Sequence, residues 1–197
     1  MNWWGYWVNV IQVSGGVIFG QLIGIFGFLL LTWVYRPSEF GVYASWLSIV
    51  MIGSTLSTGA LETSLVRDSD GAVRRVAAAK VVSTAFLGAL LFAAVCGLGL
   101  SRFPDFLPGN RLLIAASIGI AVFALATNLV MQSWASAEGS FRPLTLLRIA
   151  QSSLTMFVPL ALSAIGRTSD MLVWGHTFGL VIAAILWLPV FRRASLG

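Results

Sequence analysis

Residues 112–137 read LLIAASIGIAVFALATNLVMQSWASA, a run of 26 residues without a single Asp, Glu, Lys or Arg. A helix needs about 20 predominantly apolar residues to cross roughly 30 Å of hydrocarbon, so this run is long enough to span a bilayer. Five more uncharged windows lie on either side of it: 1–35, 40–61, 81–101, 149–166 and 171–191. The shortest, 149–166, reaches the spanning length by including 144–147. We therefore expect six spans.

The composition of the whole chain agrees with this expectation. Of the 197 residues, 58% are hydrophobic and only 10% are charged, whereas about a quarter of the residues in a soluble domain are charged. The apolar runs are about twice as long as a barrel strand of roughly 10 residues, and they do not alternate with a period of two. The sequence predicts an all-α, polytopic membrane protein with a single membrane domain over 1–197. The predicted helices are 8–34, 40–66, 76–100, 112–134, 144–165 and 171–191.

The distribution of basic residues predicts the orientation of the chain. With the N-terminus in the cytoplasm, eight of the 12 Lys and Arg residues lie in the inside loops and the C-terminal tail, and four lie outside. Cytoplasmic loops carry the excess of positive charge in membrane proteins. We therefore expect both termini in the cytoplasm.

Several classes of protein are disfavoured by what the sequence lacks. Cys96 is the only cysteine and His176 is the only histidine, so neither a disulfide within the chain nor a metal site built from Cys and His is expected. The basic residues are spread through short loops, and we expect no nucleic-acid partner. The sequence has no intramembrane Asp pair, Gly-x-Ser-x-Gly or His-Glu-x-x-His motif, so we expect no enzyme and no cofactor.

The most specific motif joins the first two spans: Tyr35-Arg36-Pro37-Ser38-Glu39-Phe40-Gly41-Val42-Tyr43-Ala44. Shorter motifs flank it in chain order: Gly20-Gln21-Leu22, Gly59-Ala60-Leu61-Glu62, Arg148-Ile149-Ala150-Gln151-Ser152 and Gly175-His176-Thr177-Phe178-Gly179. Together they resemble the polysaccharide (oligosaccharide-lipid) flippase family of the multidrug/oligosaccharidyl-lipid/polysaccharide exporter superfamily.

This resemblance implies a function and a partner. It implies flipping of a polyprenyl-phosphate-linked glycan across the plasma membrane of a prokaryote, for a surface polysaccharide such as lipopolysaccharide or exopolysaccharide. Complete members of the family have about 12 to 14 helices in two lobes that rock against each other, and this chain resembles the N-terminal half. A second lobe, either a second copy or a separate C-terminal half, would then be needed.

Four ionisable residues are candidates for this function. Arg36 and Arg148 suit a phosphate because a guanidinium stays charged and donates paired hydrogen bonds, although each also suits a helix end or a cytoplasmic loop. Glu62 near the end of the second span would bind substrate, couple ion movement or pair with Arg67. His176 would couple ion movement or hydrogen-bond a neighbouring helix.

Polar and small side chains inside the spans complete the candidates. Amides would meet sugar hydroxyls in a cleft or would hydrogen-bond between helices. The candidates for the cleft are Gln12, Gln21, Asn128 and Gln151, with Asn9, Gln132 and Ser152 as further polar positions. Gly16, Gly20 and Gly24, the glycine stripe of the first span, predict close approach of a neighbouring helix.

Two other functions remain open from the sequence. One is a small accessory or channel-forming multi-pass protein that oligomerises through glycine-rich faces. The other is a lobe of a small-molecule efflux transporter, which would have the same number of helices. The motif around Pro37 favours the flippase over the accessory protein, because an accessory protein has no need of it.

Overall fold

The structure is a computed structural model that describes residues 3–66, 70–103, 107 and 110–194, without the side chains of 3–6, 8–13, 66, 193 and 194. Within these ranges it contains six long α-helices and one short 3-10 helix. The α-helices are α1 Trp3–Val34, α2 Pro37–Thr58, α3 Gly71–Arg102, α4 Arg111–Ala137, α5 Phe141–Leu162 and α6 Ser169–Ala194, and the 3-10 helix is Leu61–Val66. The prediction of an all-α chain with six long helices is confirmed.

The second helix is shorter than predicted. The α-helix ends at Thr58 rather than at residue 66, because Gly59 and Ala60 both have a φ of 57°. This left-handed conformation ends a helix, and only glycine adopts it without steric cost. The N–H of Gly59 closes the helix by donating to the carbonyls of Thr55 and Leu56 in the last turn of α2. Glu62 therefore lies in the separate 3-10 helix and not in the last turn of α2.

Helices α3 and α4 both begin after a polar N-cap residue that lies outside the uncharged windows of the sequence. The Asp70 carboxylate accepts a hydrogen bond from the N–H of Ala72 at 2.8 Å, so α3 begins at Gly71 instead of residue 76. Asn110 caps α4 in the same way, by accepting from the N–H of Leu112 at 3.0 Å. Helices thus continue past the apolar windows because long charged side chains extend to the membrane surface.

Helices α4 and α6 form the interior of the bundle. Half of the residues in the membrane-length windows of α4 and α6 are buried, against 17% in α1, α3 and α5. Helix α4 packs against α2, α3 and α6, while α5 lies between α6 and α1. One apolar core contains Trp46, Ile118 and Leu180, and a second contains Trp134 and Trp187.

The outward surface of the bundle is apolar. Each of the six helices is long and apolar enough to cross a membrane. Large side chains on the periphery are strongly exposed, among them Phe19 at 62%, Leu91 at 69% and Leu98 at 71%. Lipid tails solvate such a surface, whereas water disfavours apolar patches of this extent. The chain is an all-α, multi-pass membrane protein.

One end of the bundle, which we call the Arg74 end, contains the start of α3, the end of α4 and the start of α5. Nη1 of Arg74 lies 3.1 Å from Oε1 of Glu138 and donates to the carbonyl of Ala137 at 3.0 Å. Arg74 is therefore ion-paired and also caps the last turn of α4, where the helix dipole favours a cation.

The opposite end, which we call the Tyr35 end, is held together by the turn between α1 and α2. The buried hydroxyl of Tyr35 donates to the carbonyl of Pro159 on α5 at 2.9 Å. Burial raises the pKa of the Tyr35 phenol, and the Arg167 guanidinium opposes this in part. An oxygen of Glu39 accepts from the N–H of Ser169 at 2.6 Å, which places a negative charge at the N-terminus of α6.

Glycines let α6 contact α5 backbone to backbone. A Cβ on Gly175 would lie 2.6 Å from the Cα of Pro159, and a Cβ on Gly179 would lie 2.7 Å from the carbonyl oxygen of Leu154. Both distances are shorter than any real contact of a Cβ, so no larger residue fits without moving a helix. This pair, four residues apart, is the close-packing pattern of membrane helices.

The glycine stripe of α1 is only partly a packing surface. A Cβ on Gly16 would lie 2.5 Å from the side chain of Thr145 on α5, as the stripe predicts. Gly24 has no neighbouring atom within 4 Å of a Cβ, so the prediction is wrong there. The next close contact with α5 is instead at Gly27, where a Cβ would lie 2.5 Å from Met156. Gly24 borders open space.

Candidate functional site

The open space beside Gly24 is a groove between α1, α4 and α5. Its volume is about 530 Å³, which lies within the range of about 300 to 1,000 Å³ for ligand pockets. Helix α1 packs along α5, while in the described part of the chain α1 and α4 do not pack along each other. We call this the Arg148 groove, and its polar lining residues are Gln21, Gln132, Arg148, Gln151 and Ser152.

Two amides hold Arg148 in the groove. Nε of Arg148 donates to Oε1 of Gln132 at 2.9 Å, and Nε2 of Gln132 donates to Oε1 of Gln151 at 2.8 Å. Arg148 and Gln151 lie three residues apart and so share a face of α5, while Gln132 reaches them from α4. The hydrogen-bonded chain therefore joins the two helices at the base of the groove.

Arg148 lies at membrane depth without an acidic partner in the described structure. Helix α5 begins at Phe141, and at 1.5 Å per residue Arg148 lies about 10 Å along it. None of the carboxylates that the structure describes lies within 4.0 Å of its guanidinium. A charge inside a span is costly unless it is paired, reaches the interface or lines a polar cavity, so Arg148 is a candidate functional residue.

The structure brings together three of the predicted substrate-binding residues. Gln21, Arg148 and Gln151 all line the groove. Two further polar positions from the sequence, Gln132 and Ser152, line it as well. Whether these residues bind substrate stays a prediction.

Two other predicted residues, Arg36 and Asn128, do not join the groove. Arg36 is exposed at the Tyr35 end, where it precedes the first turn of α2 and makes no side-chain cap. Asn128 is fully buried, and its amide donates to the carbonyls of Ala124 and Leu180, so it ties α4 to α6 instead of lining a cleft. The side chain of Gln12 lies outside the described residues.

Glu62 lies in the 3-10 helix between α2 and α3. Its Oε2 is buried and has no hydrogen-bond partner among the described residues. Arg67, which the sequence suggested as its partner, lies outside the described residues. The roles of Glu62 in substrate binding and ion coupling stay predictions.

His176 belongs to a second polar site, which we call the His176 cluster and which consists of Tyr43, Trp46, Ser117 and His176. The hydroxyl of Tyr43 lies 2.9 Å from Nδ1 of His176, and Nε1 of Trp46 donates to Ser117 at 3.1 Å. All four side chains are buried. His176 thus hydrogen-bonds a neighbouring helix, and its role in ion coupling stays a prediction.

A proline explains a further contact of the His176 ring. The ring also lies close to the backbone of Thr155 on α5. Pro159, four residues later, has no N–H, so the carbonyl of Thr155 lacks its donor within the helix. His176 thereby contacts both α2 and α5 from its position on α6.

Sequence reasoning missed most of the His176 cluster. Tyr43 stood in the motif between the first two spans, but no role was inferred for it. Trp46 follows it by three residues and so lies on the same helix face, which was a usable signal. The pairing of Trp46 with Ser117 crosses 71 positions of the chain, and no local pattern predicts it.

Comparison with known proteins does not add a family, since no protein-family model, no curated protein and no solved structure matches the chain. The class that the fold defines is therefore the all-α, multi-pass membrane protein. In the described part of the chain, two polar sites differ in their surroundings: the Arg148 groove is open, and the His176 cluster is closed.

Proposed function

We propose that this chain is one lobe of a transporter that translocates a polyprenyl-phosphate-linked saccharide, and that the Arg148 groove receives the phosphate. The observation that supports this most strongly is the guanidinium of Arg148, which lies at membrane depth and is hydrogen-bonded only to a neutral amide among the described residues. A guanidinium keeps its charge and donates paired hydrogen bonds to phosphate oxygens. An anionic substrate would supply the missing counter-ion.

The shape of the groove fits a substrate that is polar at one end and apolar at the other. Gln21 and Ser152 offer hydrogen bonds to saccharide hydroxyls beside Arg148. Gly24 leaves the wall formed by α1 without side-chain bulk. Because α1 and α4 flank the groove without packing along each other where the structure describes them, a prenyl tail would extend between them into lipid.

The proposal includes an orientation. The Arg74 end would face the cytoplasm, since Arg74, Arg75, Lys80 and Arg142 lie there, while Arg36, Arg102, Arg111 and Arg167 belong to the Tyr35 end. Both termini would then be cytoplasmic, in the plasma membrane of a prokaryote. Arg148 would lie in the cytoplasmic half of the membrane, close to where an anionic headgroup enters.

Translocation makes and breaks no covalent bond, so the proposed function needs no catalytic group, metal or cofactor. Movement past the groove does need a second surface to close it. A second copy of this chain or a separate C-terminal half would provide that surface, and alternating access would follow from rocking of the two lobes.

The proposal is tested in liposomes that contain the purified chain and a fluorescent, short-chain polyprenyl-diphosphate saccharide. Wild-type protein is expected to make the label in the inner leaflet accessible to an external quencher. Arg148→Ala is expected to reduce this rate at least about tenfold, because a hydrogen-bonded charge is lost. The matched control is Arg142→Ala, which removes an exposed arginine from the same helix.

Two outcomes would contradict the proposal. One is a translocation rate in Arg148→Ala equal to that of wild type at equal protein content. The other is a wild-type protein that neither translocates nor binds the saccharide lipid. An ion current through the same liposomes would instead favour the channel-forming alternative.

A further inference from the structure

The chemistry of arginine fixes the direction of the two hydrogen bonds that join Arg148, Gln132 and Gln151. A guanidinium has donors and no acceptor, so the group that meets Nε of Arg148 must be an oxygen. Gln132 therefore presents its Oε1 to Arg148 and its Nε2 to Gln151. Gln151 accepts that bond with its own Oε1, which leaves its amide N–H groups as the donors it has to offer.

The groups that Arg148 and Gln151 have left for a ligand are consequently donors. The Nη1 and Nη2 groups of Arg148 make no hydrogen bond to the residues that the structure describes. Gln151 adds its N–H groups to the same groove. A site of this kind suits an oxyanion, which only accepts hydrogen bonds, better than a neutral hydroxyl, which also donates.

The bond to Gln132 also determines which edge of the guanidinium meets the ligand. An arginine binds an oxyanion with paired bonds either through Nε and one Nη or through both Nη groups. The 2.9 Å bond to Gln132 occupies Nε and excludes the first arrangement. The edge formed by Nη1 and Nη2 is the one that remains.

We propose that Gln132 is a positioning residue, which orients Arg148 so that both of its Nη groups bind one substrate oxyanion. The inference rests on the proposed function for the identity of that substrate, a phosphate carried on a lipid. The sequence left two roles open for Gln132, contact with a sugar or a hydrogen bond between helices, and the positioning role builds on the second. A side chain held in its productive rotamer by a second layer of hydrogen bonds binds more tightly than one that must be ordered by the ligand.

The test measures binding of farnesyl phosphate to the full chain in lipid nanodiscs, by titration calorimetry. Gln132→Met keeps the volume and removes the acceptor, and it is expected to weaken binding about tenfold, the cost of one hydrogen bond to a charged group. Gln132→Glu keeps the bond to Nε but adds an internal carboxylate that competes for the Nη edge. It is expected to weaken binding further, while the unfolding temperature stays at or above that of wild type.

Two controls separate positioning from other effects. Arg142→Gln changes the net charge by the same amount as Gln132→Glu on an exposed part of α5, and it is expected to bind like wild type. Arg148→Lys keeps the charge but has no paired donors, so it is expected to bind about as weakly as Gln132→Met. A purely structural role for Gln132 would lower the unfolding temperature of Gln132→Met and leave its affinity unchanged.

The outcomes distinguish this inference from the proposed function. Equal affinities of wild type and Gln132→Met would overturn the positioning role and leave a phosphate site at Arg148 intact. Inorganic phosphate that binds as tightly as farnesyl phosphate, with the same loss in Gln132→Met, would support the positioning role and contradict a lipid-linked substrate. Farnesol that binds as tightly as farnesyl phosphate would overturn both.

Discussion

The Arg148 groove and the His176 cluster are both polar sites at membrane depth, and α5 contributes to each. In the His176 cluster the ring lies 2.9 Å from the hydroxyl of Tyr43 on α2 and close to the backbone of Thr155 on α5. In the groove, Arg148 uses one donor on Gln132, and its two Nη groups have no partner in the described structure. One site has its hydrogen bonds satisfied internally, and the other has donors left for a ligand.

This difference shows why the type of a residue is a poor guide to function in a membrane span. From the sequence, His176 and Arg148 were both isolated ionisable residues. Buried polar groups that satisfy one another stabilise a unique packing, while unsatisfied ones are costly and persist where a ligand completes them. The comparison predicts that variants of the two sites separate into those that change stability and those that change binding.

The largest expected effect is a loss of stability where α6 contacts the backbone of α5, beside the His176 cluster. Gly179→Ala would place a Cβ 2.7 Å from the carbonyl oxygen of Leu154. Because neither backbone can move without opening the interior, we expect a loss of about 3 kcal/mol in the free energy of unfolding. The measurement is unfolding by SDS in mixed micelles, followed by tryptophan fluorescence.

The control for this variant is Gly99→Ala on α3, where a Cβ would meet no atom within 4 Å. A loss of stability as large in the control as in Gly179→Ala would show that glycine itself, and not the contact with α5, is what matters.

The next effect tests whether the His176 cluster is purely structural. Tyr43→Phe removes the hydroxyl 2.9 Å from Nδ1 of His176 and keeps the ring in the core. A buried nitrogen without a partner is expected to cost about 2 kcal/mol of stability, while farnesyl phosphate affinity stays unchanged. A variant that retains its stability but translocates more slowly would instead assign the cluster to ion coupling.

A smaller effect on stability is expected at Arg74, and a variant there is compared with a variant at Arg148. Arg74→Gln loses an ion pair to Glu138 and a bond to the carbonyl of Ala137, and it is expected to lower stability by about 1 kcal/mol without changing binding. Arg148→Met is expected to abolish binding of farnesyl phosphate while its unfolding temperature stays level or rises, because a functional site carries a stability cost. Equal losses of stability in the two variants would make Arg148 a structural residue as well.

The helices could be predicted from the sequence because the physics that makes them is local. Six long apolar segments without the alternation of barrel strands leave helices as the structure that satisfies the backbone of a membrane chain. The ends depended on finer signals: Gly59 ended α2 early, and Asp70 began α3 early, although each was visible as a cap residue. The prediction continued the second helix past Gly59 and began the third only at 76, because it did not treat Gly59 and Asp70 as caps.

The candidate site was only half predictable because its residues come from three helices. Arg148 and Gln151 could be grouped in advance, since their spacing puts them on one face of α5. Asn128 looked equivalent to Gln132 on α4, yet it faces α6 and donates to Leu180. The two amides lie four residues apart on one face of α4, so the difference is the neighbour that α4 meets at each level, α6 at Asn128 and α5 at Gln132. Side chains far away in sequence determine that packing.

The smallest effect on stability is expected at Gly24, in the wall of the Arg148 groove. A Cβ on Gly24 meets no atom within 4 Å, so Gly24→Ala is expected to raise stability by up to about 0.5 kcal/mol through the lower chain entropy of alanine. Gly24→Trp adds bulk in the same direction, and it is expected to leave the fold intact while blocking farnesyl phosphate. If Gly24→Trp binds the probe like wild type, then the open side of the groove is not the route of the ligand. The same substitution by alanine is thus compared at two positions of the bundle. The added Cβ is expected to be harmless at Gly24, beside the groove, and to destabilise the protein at Gly179, where α6 contacts α5.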